Sequence, residues 1–244
     1  MKVIQPNCRI QFTAADIEFI TAVLRDKTGS TQAIGILLVD AESRDLILDD
    51  ERLFHALLEQ RGCLKVSHHF YFFVTARHVL KRFGIDDREV ADYVAEVLVE
   101  FSQAENVRCV VPGKPHPLDY FFEMLGALQT ADEATSFYIR SHIGNQALFF
   151  AGLFPGHIQY RAERRGAPGL KYYEEMGRLN YRVASDHRLA RKYAVASVFD
   201  TLAERFHPAC LALNDLSERI FTFTDKDHAL EALLQRVMGP NLPN

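Results

Sequence analysis

Residues 67–103 read SHHFYFFVTARHVLKRF followed by GIDDREVADYVAEVLVEFSQ, and this stretch decides the fold. Its first half carries Phe70, Phe72, Phe73, Ala76, Val79, Leu80 and Phe83 around more than one helical face. A helix so apolar is surrounded by protein on most sides. Gly84 closes it, Asp86 or Asp87 opens the next, and Val90, Val94, Val97, Leu98 and Phe101 then recur at a period of 3.6. Two such segments across one short turn predict an antiparallel helical hairpin.

The same periodicity extends in both directions. Upstream, Thr13-Ala-Ala-Asp16 offers a capping-box-like start before Ile17, Ile20, Val23 and Leu24, with a stop near Lys27-Thr28-Gly29. Ala33–Val39 is short and aliphatic and is read as helix because no partner strand is evident. Asp49 and Asp50 can cap a helix carrying Leu53, Phe54, Leu57 and Leu58 that ends at Arg61-Gly62. Downstream, Ala104–His116 is the one long loop, and any internal domain boundary falls there. Helices are expected over Pro117–Gln129 and Asp132–Phe154, and one helix or two meeting near Ser185-Asp186 over Leu170–Phe206. Pro208 then forces a break or kink, and final helices span Pro208–Ile220 and Thr224–Met238 before Gly239-Pro240. The expected architecture is all-α, a mainly antiparallel multi-helix bundle of about 8–10 helices, residues 1–244 forming a single domain.

Composition narrows the class. The chain has 244 residues, 48% of them apolar and 25% charged, with a formal charge of −4. Those values exclude a disordered tail protein, a collagen-like repeat and a globally basic nucleic-acid binder, and they argue against sequence-specific nucleic-acid binding. Cys8, Cys63, Cys109 and Cys210 form no CxxC pair, so they are expected as free, buried thiols. The beginning MKVIQPNCRIQF lacks the apolar core of a secretory signal, which makes a cytoplasmic location the expectation. No Asp, Glu, Lys or Arg occurs from Ser141 to Tyr160, yet His142, Asn145, Gln146, Pro155, His157 and Gln159 interrupt that run. It reads as a buried helix rather than a transmembrane span.

Four places could carry chemistry. His68, Tyr71, Thr75, His78 and Arg82 follow steps of three and four, a polar stripe that could wall a pocket with imidazoles or simply meet water. In the segment 132–154, Tyr138, Arg140, His142, Asn145 and Gln146 are polar groups that need partners if buried, while Gly144, Ala147 and Ala151 leave a smooth side for another helix. In 171–192, Glu175, Arg178, Arg182 and Asp186 form a solvated charged face, and Tyr173, Met176, Asn180, Val183 and His187 the inward one. From Ile158 to Lys192 there are 9 basic against 4 acidic residues, a local excess of +5 that leaves −9 elsewhere. Arg161, Arg164, Arg165 and Lys171, read as a loop, are candidates for an anionic partner.

A metal centre in a bundle would need carboxylate and imidazole one turn apart on facing helices. Only Glu204 and His207 have the Glu-x-x-His spacing, and Glu51 with His55 is a weaker pair. A site gathered from His68, His142, Glu174 and His187 on separate helices leaves no local motif. GxSxG, Walker, GxGxxG, HExxH and His-Asp motifs are all missing. The leading expectation is a helical binding or regulatory protein engaging a partner through the His68–Arg82 stripe or the basic segment. The alternative is an oxygenase-like enzyme or ligand carrier with an internal site built from His68 or His78, Arg140, His142, Asn145, Glu174 and His187.

Overall fold

A computed structural model gives the protein's structure and describes residues 2–28, 31–59 and 65–223. Its elements are a 3-10 turn Cys8–Ile10, then α1 Ala14–Thr28, α2 Thr31–Val39, α3 Ala41–Leu48, α4 Glu51–Glu59, α5 His68–Arg82 and α6 Arg88–Phe101. There follow α7 Ala104–Val107, α8 Phe121–Leu128, α9 Glu133–Leu153, α10 Pro155–Arg165, α11 Leu170–Ser185, α12 Arg188–Lys192, α13 Ala196–Glu204 and α14 Phe206–Phe223. The fold is all-α, as expected, but with more and shorter helices than about ten. The expected end at Arg61-Gly62, Cys63 and the expected helix Thr224–Met238 with its stop at Gly239-Pro240 lie outside the described residues.

Side-chain caps set several starts where the sequence signals them. Ser67 accepts a hydrogen bond from the Phe70 amide, Asp87 from those of Glu89 and Val90, and Asp132 from that of Thr135. Each satisfies an amide that the first helical turn leaves without an intrahelical acceptor. Thr13 and Asp16 exchange hydrogen bonds, and the buried Asp16 also accepts from the amide and hydroxyl of Ser67, which ties the start of α1 to that of α5. Val90, Val94, Val97, Leu98 and Phe101 are all buried, and α5 and α6 form the expected hairpin.

Elsewhere tertiary chemistry overrides the local signal. Asp49 does not cap α4: its carboxylate is held by Arg77 and Arg88, and Asp50 takes the Arg52 amide instead. Ile17 is exposed, because α1 buries Ile20 and Leu24 on a narrower face. The 104–116 segment contains α7, and Cys109 pairs with Leu118 in one antiparallel bridge. That bridge occupies the amide and carbonyl of Leu118, so α8 begins at Phe121 rather than Pro117. Over 170–206 the chain forms three helices, with the first break at Asp186-His187 as expected and a second at Ala194, whose φ is +54°. Pro208 breaks nothing; it sits in the first turn of α14, where no amide is needed, and the break falls before it at Arg205.

α9 is the central element. It packs against α11, α14, α8, α10 and α6, and fifteen of its residues from Phe137 to Gly152 are buried. The smooth side expected at Gly144 does receive a neighbour: a Cβ there would stand 2.6 Å from the Tyr181 ring of α11. Gly177 answers on α11, where a Cβ would lie 2.0 Å from Cζ of Phe206. Small residues on both helices therefore set how closely α9, α11 and α14 approach. No described helix is long and apolar enough to cross a membrane.

Candidate functional site

The stripe on α5 does not make a common site. His68 is exposed at the first turn, Thr75 turns its hydroxyl back to the Tyr71 carbonyl, and His78 is buried. Nδ1 of His78 donates to the Val74 carbonyl at 2.8 Å while the ring stacks on Phe54 at 5.1 Å, and the Arg82 guanidinium lies 4.8 Å above the same Phe54. Phe54 of α4 thus fills the space a pocket would need. Burial lowers the His78 pKa and raises that of Tyr71.

The dispersed metal candidates are spoken for separately. Glu174 meets Nδ1 of His207 at 2.9 Å, whereas Glu204 bonds Arg182, so the Glu-x-x-His pair is split by the break at Arg205. His187 caps α12 by accepting from the Leu189 amide and stacks on Phe137 at 5.1 Å. Among the described residues no three His, Cys, Asp or Glu side chains converge as a metal site would require. On α11, Val183 is exposed rather than inward and Arg182 pairs with a carboxylate of α13, while Arg188 at the start of α12 pairs with one of α9. The basic segment is mostly helix, not loop: Pro155 starts α10 at the position that tolerates proline, and only 166–169 are irregular.

The polar group on α9, in contrast, does converge. Tyr138, Ser141, His142 and Asn145 lie at steps of three, one and three on one helical face and line a cavity of about 110 Å³. Glu100 and Phe101 at the end of α6, Glu105 and Asn106 of α7, Arg108 and Val110 after it, and Lys2 and Ile4 complete it. Arg140 lies on another face and donates to Asn180 of α11 at 3.2 Å. Two tyrosines fix the deep end: the Tyr93 and Tyr181 hydroxyls both donate to Oδ1 of Asn145 at 2.7 Å. Burial raises the pKa of both phenols, so they remain donors. With Oδ1 taken on both lone pairs, the Asn145 Nδ2 group is left with no partner among the described residues and borders the cavity, although the residue is only 3% exposed.

His142 is oriented as firmly. Its Nε2 donates to the Val107 carbonyl at 2.9 Å, an oxygen that also accepts from Gln146 at 3.0 Å. A carbonyl can only accept, so the proton is on Nε2 and Nδ1 presents a lone pair. Burial pushes the pKa down to about 4, so the ring is neutral at physiological pH. The cavity's mouth is charged: Lys2 pairs with Glu100, Asn106 donates to Glu100 at 3.2 Å, and Arg108 pairs with Asp119 at 3.2 Å.

A second polar cluster has no counterpart in the sequence reading. Asp92 and Glu96, one turn apart on α6, are both nearly inaccessible. Asp92 accepts from the Cys8 amide at 2.6 Å and from Nε of Arg9 at 2.7 Å, and Glu96 accepts from the Cys8 thiol at 3.1 Å. Arg9 also reaches Asp45 and Glu89. These contacts strap the N-terminal segment to α6. Burial raises the Asp92 pKa, and burial together with Glu96 raises that of the Cys8 thiol, which keeps the sulfur protonated and unreactive. In the sequence Glu89, Asp92, Glu96 and Glu100 recur at steps of three and four as one acidic stripe on α6, the pattern of a solvated face, so nothing local marks Asp92 and Glu96 as buried. No family model, characterised protein or solved structure matches the chain.

Proposed function

We propose that the protein binds a small, neutral, hydrogen-bonding molecule in the cavity between α6, α7 and α9, as a carrier or ligand-responsive regulatory protein. The observation that carries this reading is the pair of unmatched groups on adjacent turns of α9, one donor at Asn145 Nδ2 and one acceptor at His142 Nδ1. Neither atom is wholly cut off from water, so a ligand here exchanges water for a complementary donor and acceptor.

The two groups define the complement. A primary amide or a hydroxyl offers both a donor and an acceptor. A carboxylate offers only acceptors, so its lone pairs would face that of Nδ1, and protonating His142 to relieve this requires a pH near 4. Size sets a second limit. A cavity of about 150 Å³ holds benzene, so one of about 110 Å³ takes roughly four to six non-hydrogen atoms, with any remainder passing out between Lys2, Glu100 and Arg108.

Saturation-transfer NMR with propionamide, ethylene glycol and propionate tests the reading. Propionamide or the glycol is expected to receive saturation at neutral pH and propionate none. Ser141→Leu, which fills the cavity from its α9 side, is expected to abolish the signal. Binding of propionate equal to that of propionamide, binding of neither neutral probe, or an undiminished signal in Ser141→Leu overturns the assignment.

A further inference from the structure

The basic residues at 158–192 are not equivalent. Arg182 and Arg188 are engaged in ion pairs, and Glu174 is held by His207. Arg161, Arg164 and Lys171 have no carboxylate partner among the described residues. On α10 the spacing of His157, Tyr160, Arg161 and Arg164 puts all four on one face, while Glu163 lies away from that stripe and accepts from Gln159 at 3.0 Å. Positive charge and an exposed aromatic ring therefore share one helix face.

That face continues onto α8. Tyr173 of α11 contacts Phe121 at 5.3 Å between ring centres and lines the same notch as Arg161 of α10. Tyr120 and Phe122 stand beside this junction as a near-parallel pair, 5.5 Å apart and 15° from coplanar, and they are 54% and 68% exposed. Solvent-exposed stacked rings are a poor use of apolar area unless something else covers them. On the α10 side of Tyr173, His157, Arg161 and Tyr173 wall a notch of about 10 Å³, the size of a single water or phosphate oxygen. Glu123 keeps its charge, with its carboxylate turned back to the Asp119 and Tyr120 amides at the start of α8.

We propose that this surface, the α10 face with the Tyr120–Phe122 pair, binds single-stranded nucleic acid without reading its sequence. Unstacked bases offer flat faces to the exposed rings, and the guanidiniums pair with phosphates between them. A duplex hides its base faces and cannot use the rings. A bilayer surface would need no parallel ring pair and is as well served by lysine point charges; the two unpaired cations of α10 are arginines, which stack and hydrogen-bond in a plane.

Fluorescence anisotropy tests it, using labelled oligo(dT) and oligo(rU) of about 12 nucleotides, within the span such surfaces cover. The single strands are expected to bind with a salt dependence near −0.7 in log–log slope per phosphate neutralised, and Arg161→Ala with Arg164→Ala to lower the slope by about 1.4. Tyr120→Ala and Phe122→Ala are each expected to weaken binding about fivefold or more and to leave the slope unchanged. Arg164, Tyr120 and Phe122 are exposed and Arg161 is half-buried, and Glu163→Ala, which removes only an anion, is expected not to weaken binding. Equal affinity for a duplex of the same length, insensitivity to the ring substitutions, or binding to phosphatidylserine vesicles or polyglutamate but not to oligonucleotides overturns the proposal. Ser141→Leu leaves this surface intact, so failure here and failure of the cavity reading are separable.

Discussion

Gly177 shows how much of this molecule rests on one absent side chain. A Cβ there would lie within 2.0 to 2.9 Å of three atoms of the Phe206 ring, itself buried at the start of α14. Gly177→Ala is expected to lower stability by about 1–3 kcal/mol in urea unfolding, since either the ring or the helix must move. Gly126 of α8 meets nothing within 4 Å, so Gly126→Ala is expected to raise stability by up to about 1 kcal/mol in the same measurement. His142 gives a pH signature. Its folded pKa of about 4 lies below the unfolded value of about 6.5, so unfolding takes up a proton across that interval. Its contribution is therefore fully present above pH 6.5 and is lost as pH falls toward 4. The ring is expected to remove about 2 kcal/mol between pH 7 and pH 5. His142→Gln, which keeps a donor but cannot titrate, should flatten the wild-type curve by that amount, and an unchanged curve would show that the ring is not sequestered.

At the scale of elements, the strap of Cys8 and Arg9 over α6 is the feature most open to a single substitution. Arg9→Ala leaves Asp92 buried with its charge uncompensated, which is expected to cost about 3–5 kcal/mol in chemical denaturation. The further change Asp92→Asn should recover part of that loss because it removes the orphaned charge. Helices with a cap and a dense apolar content, α5, α6 and α9, were legible from Ser67, Asp87 and Asp132 together with the aromatic and aliphatic residues that follow them. α10 was not, because its charged residues and the nearby Gly166 and Pro168 read as loop chemistry, whereas Pro155 at its first turn is a start signal that the apolar run before it concealed. The site was half legible. His142 and Asn145 could be picked out as polar groups in an apolar helix, but their use depends on Tyr93, Tyr181 and Val107, contributed from 35 to 52 residues away. The α5 stripe misled for the same reason in reverse: periodicity placed His78 correctly on its face, and nothing local to it shows that Phe54 occupies that space.

Across the whole molecule, packing is unevenly distributed. α9 is enclosed by five helices, while α2 packs chiefly against α1 and α3 and leaves Ile36 and Val39 at 70% and 85% exposure. Hydrogen-exchange mass spectrometry is expected to find the amides of α6 and α9 exchanging only through global unfolding, and those of α2 and α3 exchanging far sooner through local opening. Uniform protection from α2 to α9 would contradict that gradient. The strap has a further consequence for the order in which the protein can be made. Its residues leave the ribosome well before the α6 carboxylates that hold them, which lie 83 to 88 positions later in the chain. Until α6 has been synthesised and released from the exit tunnel, Cys8 has no acceptor and Arg9 has only Asp45 of α3, so the clasp onto α6 closes only when the nascent chain's later portion supplies it.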